Sequence, residues 1–219
     1  MNSEHPSHHV LVLASQSPRR RTLLAEAGFE FIVDVAAVDE RVHFAEMAEA
    51  YVKRIALLKA TEVGEKYPDA FVLAADTTVV LPQNNSRHAG PESISLDGAR
   101  VLGKPQDDEE ARKMLSELSG RSHLVLTAIT LLCESKQFVS ERLIKTLVTF
   151  RKLDADDIER YIRSGEPFDK AGGYGIQGLA ASFVAAIDGS YTNVVGLPLA
   201  EVVEALKAVS IVPSLREKQ

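Results

Sequence analysis

Arg19, Arg20 and Arg21 stand in a row directly after Ser15-Gln16-Ser17-Pro18. Ser17 suits a helix N-cap and Pro18 the first helical position, so the arginines fall in the opening turn of a helix. The macrodipole is positive at that end. Cations placed there cost a few tenths of a kcal/mol or more, roughly, unless an anion lies between them and the dipole. Free N–H groups at a helix start also bind phosphate readily. The stretch from Ser15 to Arg20 therefore predicts a phosphate pocket.

Other polar side chains break their surroundings. Asp76 interrupts the apolar run 71–80. A carboxylate in such a place must be paired, protonated or metal-bound, or else sit at a strand end capping a loop. Buried ionisable groups concentrate at functional sites, which favours the first reading. Lys59 follows Ile55 and Val52 at helical spacing, so its stem lies on an apolar face; it is either a site cation or a lysine snorkelling at the edge of the stripe. Arg54 falls at the flank, where a solvated charge is expected. Acidic loop pairs such as Asp39-Glu40 face solvent by default. Beside Asp76, however, Glu40 completes an oxygen-ligand pair suited to Mg²⁺, which takes a few carboxylates plus phosphate oxygens. Lys104, in the turn Gly103-Lys104-Pro105, is a further site cation or simply a solvated turn lysine.

The segment Gly173-Tyr174-Gly175-Ile176-Gln177-Gly178 spells G-x-G-x-x-G. A dinucleotide site needs a strand before that motif, and Glu166-Pro167-Phe168-Asp169-Lys170 is not one. Gln177 nevertheless carries an amide that both donates and accepts, on a loop whose glycines allow close backbone approach. The alternative is a tight surface loop with Gln177 in water. His123 has no serine–acid pattern beside it and reads as a structural histidine. No zinc spacing, covalent nucleophile or P-loop is present. Cys133, the single cysteine, lies in an apolar run and reads as a small core residue. With no disulfide possible, a reducing compartment is expected.

The elements that must position these residues alternate along the chain. Strand patterns fall at 10–14, 31–35, 70–81, 124–133, 138–150 and 182–187; helical patterns fall at 19–27, 44–66, 108–118, 154–164 and 198–208. The long second helix presents Ala45, Ala48, Val52, Ile55, Ala56 and Val63 on one face. Residues 82–100 turn polar and rich in Gly, Ser and Asn, as a loop or extended hairpin tip. The strands near 134–137 form a hairpin, and 166–178 is a Gly-rich loop. Mixed parallel and antiparallel signals with interspersed helices predict an α/β fold, a mixed twisted sheet with flanking helices in two lobes around a central cleft.

At 219 residues the chain is long enough for one substantial domain. Its net charge of −6 argues against a general nucleic-acid binder, so a local basic cluster points to a small anionic ligand. No segment has the length of an apolar membrane span. Residues 1–9, with His5, His8 and His9, read as a frayed tail without a signal core, and a cytoplasmic protein is expected.

Six blocks carry a family resemblance. They are Ala14-Ser15-Gln16-Ser17-Pro18-Arg19-Arg20, Ala75-Asp76-Thr77, Gly103-Lys104-Pro105, Leu118-Ser119-Gly120-Arg121-Ser122-His123, the segment from Asp169 to Gly178, and the segment from Gly189 to Pro198. Together they resemble the Maf (septum formation inhibitor-like) family of nucleoside triphosphate pyrophosphatases. The resemblance covers nearly the whole chain and implies a Maf/ITPase-like fold, with 10–212 a single domain in two lobes. The segment 82–101 departs from it as an insertion. No implied site position falls inside that segment.

The resemblance further implies metal-dependent hydrolysis of a nucleoside triphosphate to monophosphate and pyrophosphate, by a homodimer. Asp76 matches the catalytic proton acceptor. Arg19, Thr77 and Gln177 match positions tied to substrate choice, and Ser15, Arg20, Glu40, Lys59 and Lys104 match further active-site positions. The Tyr-Gly-Ile-Gln-Gly form of the loop is similar to the subgroup acting on dTTP and UTP. In that reading Asp76 and Glu40 bind Mg²⁺ or Mn²⁺, the arginines and lysines hold the triphosphate, and Gln177 reads the pyrimidine edge. The competing reading is a non-catalytic nucleotide-sensing regulator of cell division.

Overall fold

The apolar run at the start of the chain forms strand β1 (Leu11–Ala14), buried along its whole length. The computed structural model describes residues 9–83 and 90–214. The expected tail through residue 8 and residues 84–89 of the expected insertion lie outside the described residues. After β1 come α1 (Pro18–Glu26), β2 (Ile32–Asp34), α2 (Ala48–Lys66), β3 (Phe71–Leu81), β4 (Arg100–Leu102) and α3 (Asp108–Leu118). The second half contains β5 (Ser122–Cys133), β6 (Phe138–Phe150), α4 (Ala155–Arg163), β7 (Val184–Asp188), α5 (Tyr191–Val195) and α6 (Leu199–Ala208).

Most elements fall where side-chain pattern places them, and the differences have local causes. The helix expected from residue 44 begins at Ala48, because Ala45 adopts a left-handed backbone with φ 58° that a helix cannot contain. Ala45, expected on the apolar face, is exposed. The loop 166–178 contains two short 3₁₀ turns, Glu166–Asp169 and Ala171–Gly173. A third turn, Leu179–Phe183, takes the start of the expected strand 182–187, so β7 begins at Val184. The three-residue β4, which begins inside the expected loop 82–100, and the five-residue α5, capped by Ser190, were not expected; both are too short to show a period.

Among the described residues the strands form one seven-stranded mixed sheet in the order β2-β1-β3-β5-β6-β7, with β4 also on β3. β1 runs parallel to β2 and β3; the remaining pairs are antiparallel. This is the expected mixed α/β fold. β5 is buried at every position, which explains its near-continuous apolar sequence: both of its faces are covered. On one face α2 packs Ala60 and Val63 against Val12, Ala14, Val72 and Ala74. On the other, Leu23, Leu24, Val202 and Leu206 of α1 and α6 cover Leu11, Leu13, Leu73 and Ala75. α3 and α4 continue that layer beneath Val79 and Leu81. Each fully buried leucine or valine of these layers contributes roughly 1.5–3 kcal/mol.

One topological feature positions the site. β3 pairs with β5 from Val72 to Val80, but its other edge is shared. β1 takes Phe71 to Ala74, and β4 takes Val79 to Leu81. Among the described residues, no strand pairs with 75–78 on that edge. The chain leaves β1 at its carboxyl end just there and turns into α1, which opens the kind of crevice where α/β sheets bind ligands.

Candidate active site

Asp76 and Thr77 lie in this open stretch of β3. Side chains alternate along a strand, so neighbours face opposite sides of the sheet. Asp76 shares the face of Ala74 and Val72, toward α2. Thr77 shares the face of Leu73 and Ala75, toward α1 and α5. Because the edge between them is unpaired, one cleft of about 640 Å³ reaches both faces. Ser15, Arg19, Arg20, Glu40, Lys59, Asp76, Thr77, Lys104 and Gln177 all line it.

On the α2 side, Lys59 Nζ lies 2.9 Å from Asp76 Oδ1 and 2.7 Å from Glu40 Oε1. The stem of Lys59 runs along the apolar face, and its ammonium ends between two carboxylates. It therefore does not snorkel to water. Asp76 is 7% exposed. Burial raises its pKa, and the nearby charges of Lys59 and Arg20 only partly oppose that. Glu40 is more open. Burial raises its pKa too, but the Lys59 hydrogen bond and the charges of Lys59, Lys104 and Arg20 win, and it is held below its ordinary value. Two carboxylates thus share one ammonium while their affinities for a proton are pushed apart, as in acid–base sites.

On the other side, Arg20 ties the cleft floor together. Its Nε donates to Gly196 O at 2.7 Å, Nη1 to Ala75 O at 2.8 Å and Ser15 Oγ at 3.4 Å, and Nη2 to Thr77 Oγ1 at 3.0 Å. The unpaired edge of β3 leaves the Ala75 carbonyl free to accept this bond. Gly196 turns its carbonyl inward at φ 117°, a conformation that glycine alone adopts without strain. All four acceptors are neutral, so the guanidinium charge remains uncompensated by a contacting carboxylate. Burial lowers the Arg20 pKa, yet a guanidinium stays protonated.

Thr77 Oγ1 continues the network to Thr127 Oγ1 at 2.9 Å, and Thr127 donates to Asn193 O at 3.1 Å. Asn193, fully buried, donates in turn to Val125 O and Thr146 Oγ1. This explains the block from Gly189 to Pro198, whose part the residue types alone did not reveal: α5 anchors the surface on which Arg20 rests. Arg19 points across the cleft mouth to Asp169, 3.3 Å away. Arg19 and Arg20 thus meet carbonyls, hydroxyls and one exposed carboxylate of the protein itself, while Arg21 is exposed and lines none of the cleft.

The far wall is the loop 166–178. Gly172, at φ 71°, packs against Val79 so closely that a Cβ would lie 2.9 Å from that side chain. Its N–H donates to Gly103 O at 2.9 Å, which joins the loop to the turn carrying the exposed Lys104. Gln177 is exposed at the cleft rim. Tyr161 Oη accepts from Gly175 N at 3.1 Å, and buried His123 Nε2 meets Tyr174 Oη at 2.7 Å. His123 is a structural residue, as expected, but not a fully satisfied one: its Nδ1 is buried with no hydrogen-bond partner among the described residues. Burial depresses its pKa to about 3, so it stays neutral. Cys133 is likewise buried in the core as expected.

Arg54 departs from its expected solvated role: it forms a two-pronged bond to Glu46, with Nε–Oε1 at 2.6 Å and Nη2–Oε2 at 2.7 Å. Among the described residues there is no group of three or more His, Cys, Asp or Glu side chains able to hold a metal. The pair Asp76 and Glu40 is nonetheless a donor set that fits Mg²⁺, an ion that takes one or two carboxylates and completes its shell with water and phosphate oxygens. No helix among the described residues is long and apolar enough to cross a membrane.

Residues 10–209 match the Maf-like protein family. The chain belongs to that family. A dTTP/UTP pyrophosphatase of Desulfotalea psychrophila is 45% identical over 202 residues, covering 92% of this chain and 95% of that protein. Those of Myxococcus xanthus (46% over 202 residues, covering 92% and 93%) and Hahella chejuensis (46% over 209 residues, covering 94% and 95%) are similar. Within this Maf-like chain, five of the six resemblance blocks line the cleft. The block from Leu118 to His123 does not; it supports the loop from behind through His123 and Tyr174. The described part of the segment 82–101 lines none of the cleft. Its Ile94 packs instead on the α2 side of the sheet.

Proposed function

We propose that this Maf-like protein hydrolyses dTTP and UTP to the monophosphate and pyrophosphate, with a divalent cation, Mg²⁺ or Mn²⁺, held by Asp76 and Glu40. The observation that carries the reading is the buried Asp76, its proton affinity raised, set against Lys59 and Glu40 in a cleft whose opposite wall is cationic. The relatives that are dTTP/UTP pyrophosphatases, at about 45% identity over more than nine-tenths of the chain, support the same substrates.

Attack at the α-phosphorus needs charge neutralisation more than covalent help. In this reading Arg20, fixed on the cleft floor, and the start of α1 receive phosphate oxygens. Arg19 exchanges Asp169 for phosphate, and Lys104 adds a cation from the facing turn. Asp76, as ligand of the cation or as general base, directs the attacking water in line. Lys59 holds that carboxylate and Glu40 in register. When bound, the cation supplies further neutralisation at phosphate oxygens and lowers the pKa of water. Gln177 reads the pyrimidine edge, whose adjacent acceptor and N–H match one amide. Thymine and uracil differ by a methyl group worth about 1 kcal/mol in an open pocket, so both are accepted.

The reading also takes 10–212 as one domain whose two lobes flank the cleft, acting as a cytoplasmic homodimer. The deciding experiment incubates purified protein with Mg²⁺ or Mn²⁺ and a panel of nucleoside triphosphates, detecting pyrophosphate and phosphate separately. Pyrophosphate released fastest from dTTP and UTP is the expected result. Tight nucleotide binding without pyrophosphate would instead support the sensing regulator.

A further inference from the structure

Glu40 lies on the excursion 35–47 between β2 and α2, a mostly exposed stretch with neither helix nor strand. Its carboxylate nevertheless reaches Lys59 at 2.7 Å. The restraint comes from the first two turns of α2. Tyr51 Oη donates to the Glu40 carbonyl at 3.0 Å. Arg54 Nη2 donates to the Arg41 carbonyl at 3.0 Å, while the same guanidinium grips Glu46 through two bonds. Glu46 Oε2 in turn accepts from His43 N at 3.0 Å. The Arg54 guanidinium lies 5.7 Å from the Tyr51 ring centroid, so the two side chains, one helical turn apart, brace each other.

We propose that Tyr51 and Arg54 are positioning residues for Glu40, seating the excursion 35–47 on α2 so that the Glu40 carboxylate stays beside Lys59 and Asp76. The inference rests on the reading of Glu40 as a site carboxylate. A guanidinium that served only as a solvated surface charge would gain nothing from a main-chain acceptor. Here the Arg54 side chain is 23% exposed and its Glu46 partner 10%, so the fork is largely withdrawn from water. Tyr51 Oη donates to a main-chain carbonyl, a bond that a phenol, un-ionised at neutral pH, supplies. The same helix carries Lys59. One rigid element therefore sets both the ammonium and the carboxylate that meets it, although Glu40 is on irregular chain.

The test compares Tyr51→Phe and Arg54→Lys with wild type and repeats both in a Glu40→Gln background, using single-turnover kinetics with dTTP and enzyme in excess. Loss of one hydrogen bond predicts a drop of about fivefold in the rate for Tyr51→Phe, and loss of the fork about tenfold for Arg54→Lys. In the Glu40→Gln background both drops should shrink to within about twofold, because no carboxylate remains to be positioned. Hydrogen exchange of the amides in 37–47 of the intact protein should quicken in both variants, independent of activity. A merely structural role predicts equal drops in the two backgrounds, and that result, or unchanged exchange, overturns the proposal. Wild-type turnover by Glu40→Gln alone would overturn the role of Glu40 instead. The exchange measurement would still decide whether Tyr51 and Arg54 seat the excursion.

Discussion

Replacing Asp76 with asparagine is expected to move stability and catalysis in opposite directions. Asp76 is 7% exposed in the middle of β3. Burial lifts its pKa above the ordinary 3.8 despite Lys59 at 2.9 Å and the charge of Arg20. A folded-state pKa above the unfolded one means that the folded protein binds the proton more tightly. At a pH above both values, every tenfold gain in proton affinity on folding weakens the fold by about 1.4 kcal/mol. Asparagine is nearly isosteric, keeps an oxygen facing Lys59 and removes that penalty, while Glu40 at 2.7 Å remains as counter-charge. In a chain of this size each kcal/mol moves Tm by about 2–4 °C. Asp76→Asn should therefore melt above wild type at neutral pH.

The pH dependence has a definite sign. The advantage of the variant is fully present above the raised pKa. It shrinks as the pH falls through that value and is gone below the unfolded pKa, where both proteins are uncharged at this position. Turnover of dTTP should meanwhile fall by about 10²–10⁴, the usual contribution of a positioned base. Calorimetry across the pH range and pyrophosphate release at neutral pH are the assays. A variant Tm at or below that of wild type at neutral pH would refute the argument that burial outweighs the ion pair. Near-wild-type turnover would remove Asp76 from the chemistry.

Three other variants test different parts of the site. Gln177→Ala should raise KM for dTTP and UTP about fivefold, the equivalent of one hydrogen bond, with a smaller effect on purine triphosphates; equal effects on all bases would remove the base-reading role. Arg20→Lys should lower both activity and Tm, because one ammonium cannot reach Gly196, Ala75 and Thr77 together and leaves acceptors short by about 1–3 kcal/mol. Unchanged melting would show that the network is dispensable. His123→Phe tests a pH effect of defined direction. The His123 pKa is depressed to about 3, so protons bind the unfolded chain first as the pH falls below the ordinary histidine value. Wild type should then lose about 1.4 kcal/mol more stability per pH unit than the variant. Parallel denaturant-derived curves for the two proteins would contradict a buried neutral imidazole.

The residues that stand out in sequence do so because their chemistry conflicts with their neighbours. Asp76 in an apolar strand, Lys59 on an apolar helical face and arginines at a helix start are all legible for that reason, and the cleft brings them together. Residues that agree with their surroundings give no such signal. Arg54 looks like any flank charge, Tyr51 like any half-buried aromatic, and Asn193 like a polar residue beside a turn. Their partners are distant in the chain or are main-chain carbonyls, which no side-chain pattern reports. The same blindness applied to the boundary of α2: propensity continues the helix back to residue 44, but the left-handed Ala45 ends it.

Local forces alone determined every strand but β4, most of the helices, the cap at Ser17 and the buried setting of Asp76, because hydrophobic period and capping act over a few residues. Tertiary structure decided what those pieces do together. β1 and β4 share one edge of β3 and part at 75–78, a consequence of long-range pairing. That gap lets Asp76 and Thr77, which the strand period turns to opposite faces, border the same cleft. It also gives Arg20 a free carbonyl to hold. A carboxylate between Lys59 and Glu40 on one side and a pinned guanidinium on the other exists only once β3 is left half-paired.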